Sequence, residues 1–184
     1  MFETLVIDDF LDENQQIIVR DNLLSRAKWN LVNDMSLKDD AYPSYGFVHL
    51  FNHPEQGILS EFYEAVVDLF IPKINLAANI EVKDVYYTRS FIQVPLEKKF
   101  YKDRNNVHVD VSVKHIAAVY YVTDSDGDTI IYENKIGQDV KELIRHKTVT
   151  PKSGRLVMFD GSRFHCSSQP KKSLRCIINF DLVV

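Results

Sequence analysis

The sequence has no long hydrophobic run, no excess of positive charge and almost no cysteine, and each absence removes a class of protein. No window approaches the roughly 18 consecutive apolar residues that a membrane-spanning helix requires. The formal net charge of −4 argues against non-specific nucleic-acid binding, which needs a basic surface, while leaving room for a local basic groove. The two cysteines, Cys166 and Cys176, read as small buried hydrophobes rather than as ligands or a disulfide. The opening Met1-Phe2-Glu3-Thr4-Leu5 lacks a basic region followed by an apolar one. No secretory signal is visible there, and the cytoplasm is the expected compartment.

What is present is the composition of an ordinary globular protein, with 45% hydrophobic, 11% aromatic and 26% charged residues in a chain of 184. That length predicts one domain, 1–184, with a substantial core.

Leu5-Val6-Ile7 reads as a short strand. Asp12 followed by Gln15 has the capping-box spacing, and Val19, Leu23, Leu24 and Ala27 form an apolar stripe behind it. The polar segment 33–45 reads as a loop, either a connector or a lid. Residues 45–51 are strand-like. His53-Pro54 then opens a predicted second helix, with Ile58, Leu59, Phe62, Val66, Leu69 and Phe70 on one face, and Pro72 ends or kinks it, with room for a short helical remainder to Ala78.

From about Val82 the pattern becomes β. The aromatic and β-branched run 85–94 is a strand that Pro95 stops, and the charged segment 96–106 reads as a loop placed at the mouth of any site built on His108. Segments 116–122 and 128–132, joined by Asp124-Ser125-Asp126-Gly127, read as a hairpin. Further strands are expected around 146–150, 155–160 and 174–184. Helices followed by many short strands predict a mainly β protein with supporting helices, either a sandwich or a barrel.

Within that β region, His108 and Asp110 stand two apart, so on one strand both would point to the same face. His165, just after the 155–160 strand, can supply a third donor. Two imidazoles and a carboxylate are the facial triad of non-haem Fe(II) sites, which leaves other coordination positions open. Arg175 follows ten residues after His165.

The order of these features resembles the Fe(II)- and 2-oxoglutarate-dependent dioxygenases, and within them the prolyl-4-hydroxylase-like branch. The likeness lies in His108-Val109-Asp110, the apolar strands around a Gly-Asp turn, Pro151-Lys152-Ser153-Gly154-Arg155-Leu156-Val157-Met158-Phe159-Asp160 leading to His165, and Arg175. The resemblance covers 86–184, and the opening Val6-Ile7-Asp8-Asp9-Phe10-Leu11 is also similar to how members begin. It implies a double-stranded β-helix, a cupin-like jelly roll, with 1–80 as a helical support region and 81–184 as the catalytic half.

The resemblance further implies His108, Asp110 and His165 as iron ligands, Arg175 as the partner of the distal carboxylate of 2-oxoglutarate, and Tyr121, or else Tyr120, as a second partner of that carboxylate. The implied reaction consumes dioxygen and 2-oxoglutarate, with ascorbate as a candidate supporting reductant. It releases succinate and carbon dioxide and hydroxylates, or demethylates, an unidentified small molecule or protein side chain. The chain has Ile177 where some branches place a serine, and Gln93-Val94-Pro95 where prolyl-hydroxylase relatives place a tyrosine before the proline. Asp110 argues against halogenation, since halogenases replace this carboxylate. His49, His53, His115 and His146 fall outside the pattern and are expected to be structural or on the surface. Two other readings stay open, a cupin-like metalloenzyme using no keto acid and a non-catalytic binding protein on the same fold.

Overall fold

The computed structural model describes residues 2–33, 45–97 and 104–184. In chain order the elements are β1 (Leu5–Ile7), α1 (Glu13–Arg26), β2 (Asn30–Val32), β3 (Gly46–His53), β4 (Gly57–Ile58), α2 (Tyr63–Ala78) and β5 (Asp84–Gln93). There follow β6 (Ile116–Tyr121), β7 (Thr129–Lys135), β8 (Arg145–Val149), β9 (Leu156–Asp160), β10 (Arg163–Ser167) and β11 (Arg175–Val183). The large antiparallel sheet runs β1-β9-β6-β11-β5-β3-β2, with β4 paired to β3. A smaller sheet runs β10-β7-β8, and His108 bridges to His165 at its edge. The two facing sheets make the expected mainly β jelly roll, a double-stranded β-helix.

Along β6, β9 and β11 the large sheet alternates between its two faces, as the period of two requires. Ile116, Ala118, Tyr120, Cys176, Ile178, Phe180 and Leu182 face the helices, where they meet Val19, Leu23, Val66, Phe70 and Ile74. Ala117, Val119, Tyr121, Val157, Phe159 and Ile177 face the small sheet and pack on Ile131 and Val149. Both cysteines are buried and free, as expected.

The first helix starts where its cap predicts. Asp12 Oδ1 accepts from the Gln15 N–H at 2.9 Å, and Gln15 Oε1 accepts from the Asp12 N–H at 3.3 Å. Leu24 is exposed and does not join the buried stripe of Val19 and Leu23.

Two expectations are corrected. The second helix does not open at His53-Pro54. β3 runs through His53, Gly57 adopts φ +74° so that β4 can fold back on β3, and the helix begins at Tyr63. Ile58 and Leu59 are consequently exposed. Past Pro72 the helix runs on to Ala78 as expected, with Phe70 and Ile74 buried on either side of the proline. The missing N–H costs one helix bond, and packing of the apolar face outweighs it. Finally, 116–122 and 128–132 are not a hairpin, because β6 pairs with β9 and β11 while β7 pairs with β10 and β8. The Asp124–Gly127 segment crosses from one sheet to the other.

Residues 5–58 contribute four strands to the large sheet besides α1, so this part of the chain is more than a helical support. The expected loops at 33–45 and 96–106 fall largely on 34–44 and 98–103, outside the described residues. Among the described residues no helix is long and apolar enough to cross a membrane.

Phe70 is fully buried, with its ring centroid 4.9 Å from Tyr120, 5.1 Å from Phe180 and 6.0 Å from Phe10. Phe70→Ala should therefore lower unfolding stability by about 3–5 kcal/mol in urea titration. A loss under about 1 kcal/mol would mean that α2 is not docked on the sheet through this ring.

Candidate active site

The inner faces of β11 and β5 are laid out as rungs. Arg175 lies opposite Gln93, Ile177 opposite Phe91, Asn179 opposite Arg89 and Asp181 opposite Tyr87. On the other side of β11, Ile177 meets Tyr121 and Asn179 meets Val119. This face is the floor of a cavity of about 60 Å³, and the small sheet closes over it.

At one end of the cavity His108, Asp110 and His165 bring one donor atom each to within 4.8 Å of one another. His165 is held in β10, paired to Ile131 of β7. His108 does not sit in a regular strand as expected. It makes only the bridge to His165, through reciprocal backbone hydrogen bonds of 3.0 and 2.9 Å, and Asp110 follows in a bend. The two nevertheless converge, with His108 Nε2 3.5 Å from Asp110 Oδ1 and His165 Nε2 3.2 Å from Asp110 Oδ2.

These residues fit a divalent ion on three grounds. The spacings are close to the ~3 Å separation of neighbouring ligands around an octahedral ion with bonds near 2.1 Å. Each imidazole turns its Nδ1 to the carbonyl two residues before it, His108 to Asn106 at 2.9 Å and His165 to Arg163 at 3.1 Å. That contact places the proton on Nδ1 and leaves each Nε2 lone pair for a metal. Third, Asp110 is ionised: burial opposes this, but Arg89 foremost, then the two histidines, outweighs it and holds the carboxyl well below its ordinary range.

Arg175 lies in the same cavity and is buried. Its Nε donates to the Gly127 carbonyl at 2.9 Å, Nη1 to Gln93 Oε1 at 3.2 Å and Nη2 to Thr129 Oγ1 at 3.0 Å. All three acceptors are neutral, and among the described residues no carboxylate pairs with it. Burial accordingly lowers its pKa. Gly127 has no side chain because a Cβ would lie 3.0 Å from Arg175 Cδ.

Of the two tyrosines, Tyr121 is on the cavity side and Tyr120 is in the helix core. The Tyr121 hydroxyl donates to Thr129 Oγ1 at 2.7 Å, and its ring lies 5.9 Å from the Arg175 guanidinium. Burial pushes its phenol up to about 12, so it stays a neutral donor.

Sequence reasoning missed Arg89, Gln93, Thr129, Asn179 and Asp181. Asn179 Nδ2 donates to Asp110 Oδ2 at 3.2 Å, and Arg89 donates to both Asp110 and Asp181. A signal was available: an arginine in the middle of an aromatic strand, in phase with Phe91 and Gln93, has to be satisfied on the inner face. The histidines expected to be structural are so placed. His49 contacts the Lys28 carbonyl and Ser60 Oγ, both at 2.9 Å, and His146 pairs with Glu133 at 2.6 Å. His53 packs edge-on against Tyr87, and His115 is buried beside Asp181.

No protein-family model matches the sequence, and no curated protein matches it. Solved structures do share the fold. A 2OG-Fe(II) oxygenase family oxidoreductase from Burkholderia pseudomallei superposes with a TM-score of 0.73 at 11% identity, covering 97% of this chain and 84% of its own. The non-heme α-ketoglutarate-dependent carbocyclase SnoK of nogalamycin biosynthesis gives 0.68 at 14%, covering 97% and 78%. A Pseudomonas putida prolyl-4-hydroxylase gives 0.62 at 15%, covering 97% and 91%. The chain therefore has the double-stranded β-helix of the 2OG-Fe(II) oxygenases, prolyl-4-hydroxylases among them. At these identities the likeness establishes the fold.

The turn that delivers His165 carries its own titrating group. Burial would raise the Asp160 carboxyl, but Lys135 Nζ at 2.6 Å and Ser162 Oγ at 2.6 Å outweigh it and lower the group from 3.8 to about 2. Because the folded-state value is depressed, its contribution is present above the unfolded value and lost as pH falls from 3.8 toward 2. Asp160→Asn should reduce stability at neutral pH and flatten the acid limb of a stability-versus-pH curve in that window. An unchanged acid limb would contradict this role.

Proposed function

We propose that the protein is an Fe(II)- and 2-oxoglutarate-dependent dioxygenase that hydroxylates an unactivated C–H bond. The observation that carries the reading is Arg175, a buried guanidinium whose described partners are all neutral, in the same cavity as a two-histidine, one-carboxylate cluster. Burying a cation without a counter-charge is costly, by several kcal/mol even after relaxation. A dicarboxylate reaching from the cluster to Arg175 removes that cost.

The parts divide as follows. His108, Asp110 and His165 would hold the ion through Nε2, a carboxylate oxygen and Nε2, a donor set that leaves room for other ligands. Bound there, the iron supplies the oxidative chemistry, in which substrate C–H, dioxygen and 2-oxoglutarate give substrate C–OH, succinate and carbon dioxide. Arg175 binds the far carboxylate with its planar fork, and burial strengthens those charge-assisted hydrogen bonds. Gln93 and Thr129 hold the guanidinium in place without cancelling its charge. Tyr121 fixes Thr129 from the other side and would be a second donor to the same carboxylate. Phe91, Val119 and Ile177 give the cavity apolar walls that exclude water from the buried charges.

The occupant of the substrate side is a small molecule or a protein side chain. Proteins sharing the fold include an enzyme described as an epimerase and a prolyl hydroxylase solved with a peptide. A keto-acid-independent metalloenzyme leaves Arg175 without a purpose, and a non-catalytic binding protein leaves the intact cluster without one.

Incubated with Fe(II), ascorbate and 2-oxoglutarate, the protein should release succinate slowly even without substrate. His108→Ala should abolish Fe(II) binding. Arg175→Met should retain the metal and weaken 2-oxoglutarate by a factor on the order of 100, since a charge-assisted contact is worth about 1.5–3 kcal/mol. No succinate together with no keto-acid binding would refute the function, and unchanged affinity in Arg175→Met would refute the carboxylate assignment.

A further inference from the structure

Arg89 lies in the middle of β5, opposite Asn179 of β11. A buried guanidinium needs its charge met, and here it is met twice. Nη1 donates to Asp181 Oδ2 at 2.7 Å, and Nη2 donates to Asp110 Oδ1. The rings of Tyr87 and Phe91, with centroids 4.2 and 5.6 Å from its Cζ, pack against the fork. Asp181 is fully buried, and His115 stands on its far side with Nε2 3.4 Å from Oδ1. That imidazole has room only because residue 161 is glycine, where a Cβ would lie 2.1 Å from His115 Nε2. The chain His115, Asp181, Arg89, Asp110 is thus a continuous buried line of polar groups, packed from both ends.

The two oxygens of Asp110 are in consequence differently employed. Oδ1 is held by the charged fork of the arginine, with His108 Nε2 also 3.5 Å from it. Oδ2 faces His165 Nε2 and accepts a neutral contact from Asn179. A carboxylate with both oxygens free can bind an ion through both and fill two coordination positions. One whose first oxygen is held by a charge-assisted hydrogen bond offers the second.

We propose that Arg89, anchored by Asp181, is a positioning residue that restricts Asp110 to one-oxygen coordination through Oδ2 and so keeps open a position that the keto acid needs. The inference rests on the metal and 2-oxoglutarate reading above. Arg89 acts through Asp110 and not on the keto acid directly.

The test uses the full chain loaded with Mn(II), so that turnover does not enter the readout. Metal-bound waters are counted from the broadening that isotopically labelled water imposes on the Mn(II) electron resonance, and 2-oxoglutarate affinity is measured by titration. The double variant Arg89→Met/Asp181→Leu removes both charges together, which preserves the buried net charge. It should retain Mn(II), carry one bound water fewer, and bind 2-oxoglutarate on the order of tenfold more weakly. Arg89→Lys keeps the charge but replaces the fork with a single ammonium, and should have intermediate 2-oxoglutarate affinity.

A wild-type water count and wild-type 2-oxoglutarate affinity in the double variant would overturn the proposal. So would an equal loss of metal and keto acid that tracks a lowered Tm, which would mark a merely structural pair. If the double variant does not fold, wild-type affinity in Arg89→Lys overturns it. Failure of the unmutated protein to bind Mn(II) would refute the metal reading itself, before any variant is made.

Discussion

The site depends on β11 carrying two incompatible faces in one strand. Cys176, Ile178, Phe180 and Leu182 are buried against the helices, while Arg175, Ile177, Asn179 and Asp181 line or support the cavity. Burial of each large apolar side chain contributes about 1.5–3 kcal/mol, and this is what allows polar groups to be gathered on the opposite face. A slip of one residue would exchange the faces and place Arg175 in the hydrophobic core. Pairing with β5 on one side and β6 on the other fixes the register. The placement of Arg175 and Asn179 in the cavity and the packing of the helices are therefore consequences of a single alignment.

Two buried arginines on this floor have opposite electrostatic situations. Arg89 is shared by two carboxylates, which meet its charge. Arg175 is held by a carbonyl, an amide and a hydroxyl, which orient it but leave its charge for something else. The same residue type meets carboxylates in one place and only neutral acceptors in the other, and the difference lies in the partners. A guanidinium surrounded by neutral acceptors is preorganised for an anion, with little reorganisation left to oppose binding.

Much of this was legible in the sequence because it rests on periodicity and fixed spacing. Asp12 and Gln15 announce the first helix, the β pattern from Val82 onward announces the sheets, and His108, Asp110, His165 and Arg175 fall together in space as their order implies. What was not legible depended on long-range pairing. Ile58 and Leu59 match a helical stripe, but Gly57 turns them back onto β3 as a short strand. The segments around Gly127 look like a hairpin, yet each strand finds its partners in a different sheet. Gln93 and Asp181 gain meaning only once β5 and β11 are in register, which places one beside Arg175 and the other beside Arg89.

The central claim is that one small molecule spans from the His108, Asp110 and His165 cluster to Arg175. The most direct measurement is anaerobic visible absorption of the Fe(II)-loaded protein as 2-oxoglutarate is added. Chelation of Fe(II) by a keto acid produces a metal-to-ligand charge-transfer band, and that band should grow to saturation in proportion to protein. A protein that binds Fe(II) but develops no such band, with the keto acid remaining free in solution, would contradict the account.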